Sequence, residues 1–234
     1  MDQEPQLYDR ESPTNHADRE LFTFIERSLY TAVVSDSLDE LGYANQAMRE
    51  YLRPLRPETC FAGQARTISC VDVYHTLLPN PYEKEIEALD SVLADEVVVV
   101  STGRSKRNAP WGELLSTAAR ARGARGAVID GLVRDVRKIL ELGFPVFAAG
   151  VKPVDSKGRG IVYDYNVPVE CGGVVTYPGD VVFADHDGVV VIPALVVLDV
   201  IRLATEKVRR ENSSRAELMS GAFLKDVFQR YGVL

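Results

Sequence analysis

Residues 111–135 read WGELLSTAARARGARGAVIDGLVRD, and this stretch decides the fold. Leucine and alanine recur at helical spacing over residues 114–119, and Gly123 ends that pattern. Residues 127–129 then form a short apolar run that is typical of a strand. The stretch therefore predicts a helix, a turn and a strand, and the rest of the chain is interpreted around these three elements.

Functional groups are expected at the edge of the sheet where this strand ends. The strand is predicted to end at Asp130, and a short loop brings Arg134 and Asp135 to the start of a helix over residues 136–142. Helix-start N–H groups and a guanidinium both bind small carboxylates, and a carboxylate with water suits a magnesium-like ion. On pattern alone, a second interpretation makes Arg134 a surface residue and Asp135 a helix cap.

The segments around this stretch predict a mixed sheet with helices outside it. Strand, helix and strand alternate from residue 97 to residue 148, which implies a parallel βαβ core. Strands are predicted at residues 173–177, 180–184 and 188–192, joined by turn-rich links into an antiparallel meander. A strand is also predicted at residues 63–73, and helices at residues 19–29, 82–93, 194–211 and 216–231, the last with a break near Gly221.

The segment after the first helix is predicted to contain a strand over residues 31–34 and a capped helix over residues 38–41. Asp36 and Asp39 are interpreted as capping or solvated acids, with a place in a pocket as the alternative. We predict one α/β domain over residues 19–193, a flexible arm over residues 1–18 and a helical extension over residues 194–234.

Composition excludes several classes of protein. The 234 residues carry 27 basic and 34 acidic side chains, a net charge of −7, so binding to a nucleic-acid backbone is not expected. The apolar runs are too short for a membrane helix and the first residues do not resemble a signal peptide, which predicts a cytoplasmic protein without membrane partners. Cys60, Cys70 and Cys171 lack C-x-x-C spacing and are expected to be packed thiols.

Other catalytic chemistries lack support. His16, His75 and His186 are too far apart in sequence to predict a zinc site, and no G-x-S-x-G pattern is present. All lysines lie in polar segments, whereas a Schiff-base lysine must be desolvated. A metal-dependent mechanism is therefore preferred.

Three motifs of the central stretch carry a family resemblance. They are the helix start G-E-L-L at residues 112–115, V-I-D-G at residues 128–131 and R-D at residues 134–135. Together they resemble the family of 4-hydroxy-4-methyl-2-oxoglutarate aldolases, which includes proteins named regulator of ribonuclease activity A. The resemblance runs over about residues 31–193 and implies a swivelling β/β/α fold.

The resemblance also implies residue roles. Asp135 would bind Mg²⁺ or Mn²⁺, Glu113 would contact metal-bound water, and Arg134 with the backbone of the helix start would hold a pyruvate-like substrate. The helix-start residues concerned are Gly112, Leu114 and Leu115. Beyond what the resemblance implies, we assign to Glu211, in the late helix, the role of an acid that a neighbouring subunit contributes to the metal site, within a homotrimer or homohexamer. Glu113 stands where Asp is expected, and Lys138 stands where relatives often have an acid.

The resemblance predicts a metal-dependent carbon–carbon lyase that cleaves the C3–C4 bond of a 2-oxo acid, such as 4-hydroxy-4-methyl-2-oxoglutarate or oxaloacetate, to pyruvate. The alternative is a non-catalytic protein that regulates ribonuclease assemblies. A third possibility is an enzyme with another substrate, for which the basic loop with Arg104, Lys106 and Arg107 and the segment 74–96 would set specificity. The same basic residues are also compatible with a solvated turn, and Asp130 is compatible with a turn or with support of the site.

Overall fold

A computed structural model describes residues 16–74 and 79–233, and side chains from residue 18 onward within those ranges. The described strands are β1 (Arg53–Pro54), β2 (Phe61–Asp72), β3 (Glu96–Ser101), β4 (Gly126–Val133), β5 (Val146–Val151), β6 (Gly160–Tyr165), β7 (Val169–Cys171), β8 (Val174–Thr176), β9 (Val181–Ala184) and β10 (Val189–Ile192). The described helices are α1 (His16–Ser28), α2 (Thr31–Glu40), α3 (Glu83–Asp90), α4 (Glu113–Ala121), α5 (Val136–Leu142), α6 (Val197–Met219) and α7 (Leu224–Tyr231), with a 3-10 turn at Ala194–Val196 before α6.

The predicted parallel core is confirmed. Strands β2, β3, β4 and β5 lie side by side and parallel, in the spatial order β5-β4-β3-β2. The valines of β3 are buried on both faces, as a continuous apolar run predicts for a central parallel strand. Helices α3, α4 and α5 cover one face, where Val98, Val100 and Ile129 pack around Trp111 and Ile139. Because the strands are parallel, their carboxyl ends, where functional residues are expected, lie at one edge.

The antiparallel half differs from the predicted meander. Strands β9 and β10 pair with each other and β9 pairs with β2, whereas β7 and β8 form a separate two-stranded sheet. The link at residues 177–180 does not fold β9 back onto β8, because Gly179 N–H donates to the Ala65 carbonyl at 3.0 Å and Asp180 accepts from Ala65 N–H at 2.7 Å. This pairing directs β9 onto β2. Strand β6, which pairs antiparallel with β2, was not predicted.

The prediction of a strand at residues 31–34 is wrong, because one helix, α2, spans Thr31–Glu40. Val33, Val34, Ser37 and Leu38 are buried on one side of it, in a core shared with α1, α6, β9 and β10. Its start is capped from a distant part of the chain. Asp185 accepts hydrogen bonds from Thr31 N–H at 2.8 Å and from the Thr31 hydroxyl at 2.6 Å. β-Branched residues suggest a strand locally, but burial and this remote cap favour the helix.

The ends of the chain agree in part with the predictions. Helix α1 begins at His16, inside the predicted arm, and residues 1–15 lie outside the described residues. The predicted break near Gly221 is confirmed, since Gly221 has φ +93° between α6 and α7, but α6 runs on to Met219 without stopping near residue 211. Asp36 pairs with Lys207 of α6. In the described part of the chain, no helix is both long and apolar enough to cross a bilayer.

The three cysteines are free thiols. Cys171 is buried and Cys70 is partly buried, as expected for packed thiols, but Cys60 is exposed, so the expectation is wrong for that residue.

Candidate active site

The site begins where the chain before α4 meets the end of β4. Trp111 forms a parallel bridge with Val133, and Arg134 N–H donates to the Trp111 carbonyl at 2.9 Å. The Trp111 ring is buried, and its Nε1 donates to the Ser116 hydroxyl at 2.9 Å, which in turn donates to the Gly112 carbonyl at 2.9 Å. These contacts hold the start of α4 against Arg134. Strand β4 therefore continues past Asp130, where we expected it to end, through an irregularity between Ile129 and Leu132.

Only glycine fits at position 112, because Asp135 and Arg134 lie too close for a side chain. Its backbone is extended, with φ −151°, so conformational freedom is not the reason for glycine here. A β-carbon at this position would lie 2.7 Å from Asp135 Oδ2 and 3.2 Å from Arg134 Cγ. The missing side chain lets the start of α4 and the Arg134–Asp135 pair approach each other closely.

Asp135 lies at the N-cap of α5 with φ +58° and ψ +29°, a left-handed conformation that Asp tolerates better than most residues. Its side chain does not cap α5. Oδ2 instead lies 3.5 Å from the Glu113 N–H and 3.7 Å from Arg134 Nε. The carboxylate is 47% exposed, so it faces both the start of α4 and solvent.

Arg134 lies between two carboxylates at separations longer than a good hydrogen bond. Its NH2 group is 3.6 Å from Asp155 Oδ1, and its Nε is 3.7 Å from Asp135 Oδ2. The guanidinium is 38% exposed. A ligand carboxylate that approaches from solvent can therefore take up its donors at normal hydrogen-bond distance.

The first turn of α4 supplies further donors. The N–H groups of Leu114 and Leu115 lie in that turn, where a helix offers them no acceptor of its own. Leu114 is 77% exposed, so this turn lies at the protein surface. The Glu113 carboxylate accepts a hydrogen bond from the Thr117 hydroxyl at 3.0 Å, along the helix and not toward Asp135.

Three further residues belong to this site and were not predicted. Asp155 follows β5, and Tyr82 donates its hydroxyl proton to Asp155 Oδ2 at 2.8 Å. Burial raises the pKa of Asp155, but the Tyr82 hydrogen bond and the Arg134 charge outweigh it and hold the pKa below its ordinary value. Burial, together with negative Asp155, raises the pKa of Glu85 to about 7, against a lowering effect of Arg134.

The sequence contains a signal that could have identified Asp155, but none for Tyr82 or Glu85. Asp155 follows a strand that is parallel to β4, so its place at the same sheet edge follows from the predicted βαβ order. Tyr82 and Glu85 lie at the start of α3, where an aromatic residue and an acid have ordinary structural explanations.

Asp130 lies on the other side of the sheet edge. It is buried, accepts a hydrogen bond from the Tyr51 hydroxyl at 2.7 Å and accepts a second from Gly172 N–H at 3.2 Å. These contacts hold β7 and the segment before β1 to the sheet.

The basic residues of the loop before α4 contact neighbouring segments of the chain. Arg104 stacks on the Tyr51 ring at 5.0 Å, and Arg107 stacks on the Tyr74 ring at 3.9 Å and donates to the Val73 carbonyl at 3.1 Å. The Lys106 carbonyl accepts a hydrogen bond from Lys152 Nζ at 2.7 Å. These contacts order the loop on the protein surface.

Glu211 and the histidines lie apart from these residues. Glu211 is on α6, which packs against α2 and α7. His186 Nδ1 is 3.2 Å from the Pro57 carbonyl, His75 lies outside the described residues, and the side chain of His16 is also outside them. Among the residues that the structure describes, no three His, Cys, Asp or Glu side chains cluster as a metal site.

Known proteins resemble this chain in sequence and fold. A family model described as RraA-like, Aldolase/RraA, matches residues 31–191. A Halalkalibacterium halodurans protein named "Putative 4-hydroxy-4-methyl-2-oxoglutarate aldolase" is 32% identical over 181 residues, which cover 77% of this chain and 80% of that protein.

Solved structures support the same relationship. A Streptomyces coelicolor protein described as an unusual member of the RNase ES inhibitor RraA protein family has a TM-score of 0.77 and 29% identity, covering 87% of this chain and 99% of its own. An uncharacterized Pseudomonas syringae protein has a TM-score of 0.82 at 24% identity, covering 97% of this chain and 100% of its own, and this match supports the fold alone.

Proposed function

Because this chain belongs to the RraA-like family, as its motifs predicted, we propose that it is a metal-dependent carbon–carbon lyase. It would cleave the C3–C4 bond of a 2-oxo acid, as an aldolase or as an oxaloacetate decarboxylase, and release pyruvate. The observation that supports this most is the approach of Arg134, Asp135 and the start of α4 at Gly112, where a β-carbon would be only 2.7 Å from Asp135 Oδ2.

The chain's own residues bind the 2-oxo acid through its carboxylate. The Leu114 and Leu115 N–H groups and the partial positive charge of the helix start attract one carboxylate oxygen. Arg134 supplies planar paired donors for the other oxygens, and Asp155 on its far side orients the guanidinium. This arrangement leaves the keto oxygen beside Arg134 and the Asp135 carboxylate.

The residues fit a divalent ion of the Mg²⁺ or Mn²⁺ type. Asp135 offers an exposed carboxylate, and the absent side chain at Gly112 leaves Oδ2 accessible. Such ions keep several waters and need only one or two protein carboxylates. Glu113 is close enough in sequence and space to orient a water after it exchanges its Thr117 contact. When bound, the ion would supply Lewis acidity to the keto oxygen.

In aldol cleavage the C4 hydroxyl loses its proton to solvent water and C4 leaves as a carbonyl compound, whereas in oxaloacetate C4 leaves as CO2. In both cases the electron pair of the C3–C4 bond moves through C3 onto the keto oxygen, and a proton from solvent added at C3 then gives pyruvate. Arg134 is placed to stabilise the negative charge that develops on this oxygen. The carboxylate of Asp135 would otherwise repel that charge, which is a further reason to expect that Asp135 holds a cation.

The test is pyruvate release from oxaloacetate by protein treated with a chelator, before and after addition of Mg²⁺. We expect activity only with the ion, and we expect Asp135→Asn to lower it by about 10²-fold or more. Asp199→Asn, at an exposed site in the first turn of α6, is the matched control and should retain activity. Activity that persists without metal, or in Asp135→Asn, would contradict the proposal.

A neighbouring subunit completes this scheme. We propose a homotrimer or homohexamer in which Glu211 of α6 approaches the site of the next subunit. Burial raises the pKa of Glu211 within one chain, while Arg215 lowers it. Light scattering should give the mass of three or six chains, and Glu211→Gln should raise the Mg²⁺ concentration that activity requires without dissociating the assembly. A monomer with full activity would contradict it.

The second candidate function is a regulatory protein that binds ribonuclease assemblies. The similarity to the Streptomyces coelicolor protein favours it, and the net charge of −7 suits basic partner segments. Capture of a purified ribonuclease by this chain, with no pyruvate from any 2-oxo acid in the assay above, would replace the lyase proposal.

A further inference from the structure

The first turn of α3 is connected to the candidate active site by one hydroxyl group. Tyr82 lies at the N-cap of α3, where its N–H donates to Asn80 Oδ1 at 3.1 Å and its carbonyl accepts from Ile86 N–H at 2.9 Å. These contacts fix the backbone of Tyr82, and its hydroxyl donates to Asp155 Oδ2 at 2.8 Å. Tyr82 therefore joins α3 to the carboxylate that faces Arg134.

The two oxygens of Asp155 face different groups. Oδ2 accepts the Tyr82 hydrogen bond, whereas Oδ1 lies 3.6 Å from Arg134 NH2 and 3.4 Å from the Ser156 hydroxyl. Backbone N–H groups of Ser156 and Lys157 also approach the carboxylate. Burial raises the pKa of Asp155, and the Tyr82 hydrogen bond is the largest of the effects that nonetheless hold it below its ordinary value. The Tyr82 hydroxyl is therefore the main restraint on how this carboxylate turns.

The amino edge of the sheet shows what a close carboxylate does to an arginine. There Glu96 lies 3.0 Å from Arg66 Nε and 2.9 Å from its NH2 group, so both donors of that fork are occupied. Charge-assisted hydrogen bonds of this kind are about 2.8 Å long, so an approach of about 0.8 Å would close the Arg134–Asp155 pair in the same way. The donors of Arg134 would then be lost to a ligand.

We infer that Tyr82 is a positioning residue whose hydroxyl holds Asp155 back from Arg134, so that the guanidinium stays free for the carboxylate of the 2-oxo acid. This inference rests on the part of the proposed function that gives Arg134 the substrate carboxylate. Asp155 then orients Arg134 without occupying its donors. Tyr82 acts only through Asp155 and contacts neither the substrate nor the metal.

The test begins with Tyr82→Phe, which removes the hydroxyl and keeps the ring. We expect KM for oxaloacetate, measured with Mg²⁺, to rise about five-fold, because the substrate must then displace Asp155 from a partly exposed ion pair. The kcat should change by less than about two-fold, because this displacement weakens the bound state and the transition state alike. A crystal structure of the variant should show Arg134 and Asp155 at about 2.8 Å.

A second background separates positioning from damage. Asp155→Asn removes the charge that competes for Arg134, so adding Tyr82→Phe to this variant should change KM by less than about two-fold. Tyr163→Phe removes the hydroxyl of an exposed tyrosine on β6 and is the matched control, with KM and kcat unchanged. Urea unfolding checks that each variant is folded.

Binding of oxalate, a mimic of the pyruvate enolate, is measured by calorimetry with Mg²⁺ and does not depend on turnover. Tyr82→Phe should weaken it about five-fold. Unchanged KM and oxalate affinity in Tyr82→Phe, or a loss of the same size in the Asp155→Asn background, overturns the inference and leaves the lyase proposal intact. No pyruvate from the wild type overturns the lyase proposal, and the oxalate affinities then decide the role of Tyr82. Absence of oxalate binding as well overturns both.

Discussion

The two edges of the parallel core contain the same kinds of residue in different states. At the amino ends of β3 and β4, Arg66 contacts Glu96 through Nε at 3.0 Å and NH2 at 2.9 Å, and both side chains are under 10% exposed. At the carboxyl ends, Arg134 lies 3.6 and 3.7 Å from its two carboxylates and is 38% exposed. We call the amino edge closed, because its ion pair is buried and hydrogen-bonded. We call the carboxyl edge open, because Arg134 is exposed and lies beyond hydrogen-bond distance of both carboxylates.

This difference shows which arginine can serve a ligand. The Glu96 carboxylate also accepts Leu93 N–H at 2.7 Å, so the amino-end pair has its hydrogen-bonding groups satisfied within the protein. Nearby, Arg125 reaches Asp95 at 2.7 Å and Glu26 at 3.0 Å, which holds α1 to the sheet. Arg134 has no such saturation, and its donors remain available to substrate.

The largest effect is expected from a substitution at the open edge, and it is an effect on catalysis. Arg134→Ala should lower kcat/KM for pyruvate release by about 10³-fold, or about 4 kcal/mol, because it removes the donor nearest the developing charge. Its free energy of unfolding should change by less than about 1 kcal/mol, because Asp135 and Asp155 remain solvated. Arg137→Ala, at an exposed helix pair, is the matched control for both measurements.

The converse is expected at the closed edge. Arg66→Ala should lower the free energy of unfolding in urea by about 3 kcal/mol, because it leaves Glu96 buried without its cation. The kcat of the folded protein should stay near that of the wild type. The double replacement Arg66→Met with Glu96→Gln should recover part of the lost stability, and a double replacement as unstable as the single one would count against this account.

A smaller loss is expected from closing the open edge sterically. Gly112→Ala adds a β-carbon at 2.7 Å from Asp135 Oδ2 and should lower kcat/KM by about 10²-fold by displacing Asp135 and Arg134. Gly188→Ala adds a β-carbon with no atom within 4 Å and is the control in activity and urea unfolding assays. Full activity of Gly112→Ala would show that the close approach is not needed.

The last effect concerns the pH dependence of stability and Glu85. Its pKa in the folded protein is about 7, above its ordinary value of 4.5, so the folded state holds the proton more tightly than the unfolded state. The wild type should therefore lose stability relative to Glu85→Gln as pH rises from about 4.5 to about 7, by about 3 kcal/mol, and the difference between the two proteins should be constant below pH 4. Urea unfolding at several pH values measures this, and parallel curves for the two proteins would contradict it.

Local sequence was sufficient for the parallel core and for part of the site. Short segments of sequence predict these features without distant contacts. They are the four valines of β3, the helical spacing in α4 and the R-D pair before α5. The family motifs fell on the residues that the fold brings together at Gly112, Arg134 and Asp135. Their catalytic roles remain proposals.

Contacts between distant segments decided the rest. The start of helix α2 is capped by Asp185, 154 positions away, and the direction of β9 depends on Ala65. Neighbouring residues therefore predict neither feature. Glu85 and Asp155 become an electrostatic pair only when the start of α3 packs against the chain that follows β5. Short-range patterns determine which elements form, because propensity and periodicity are local. Charge state and specificity depend on burial and on partners that only the folded chain assembles.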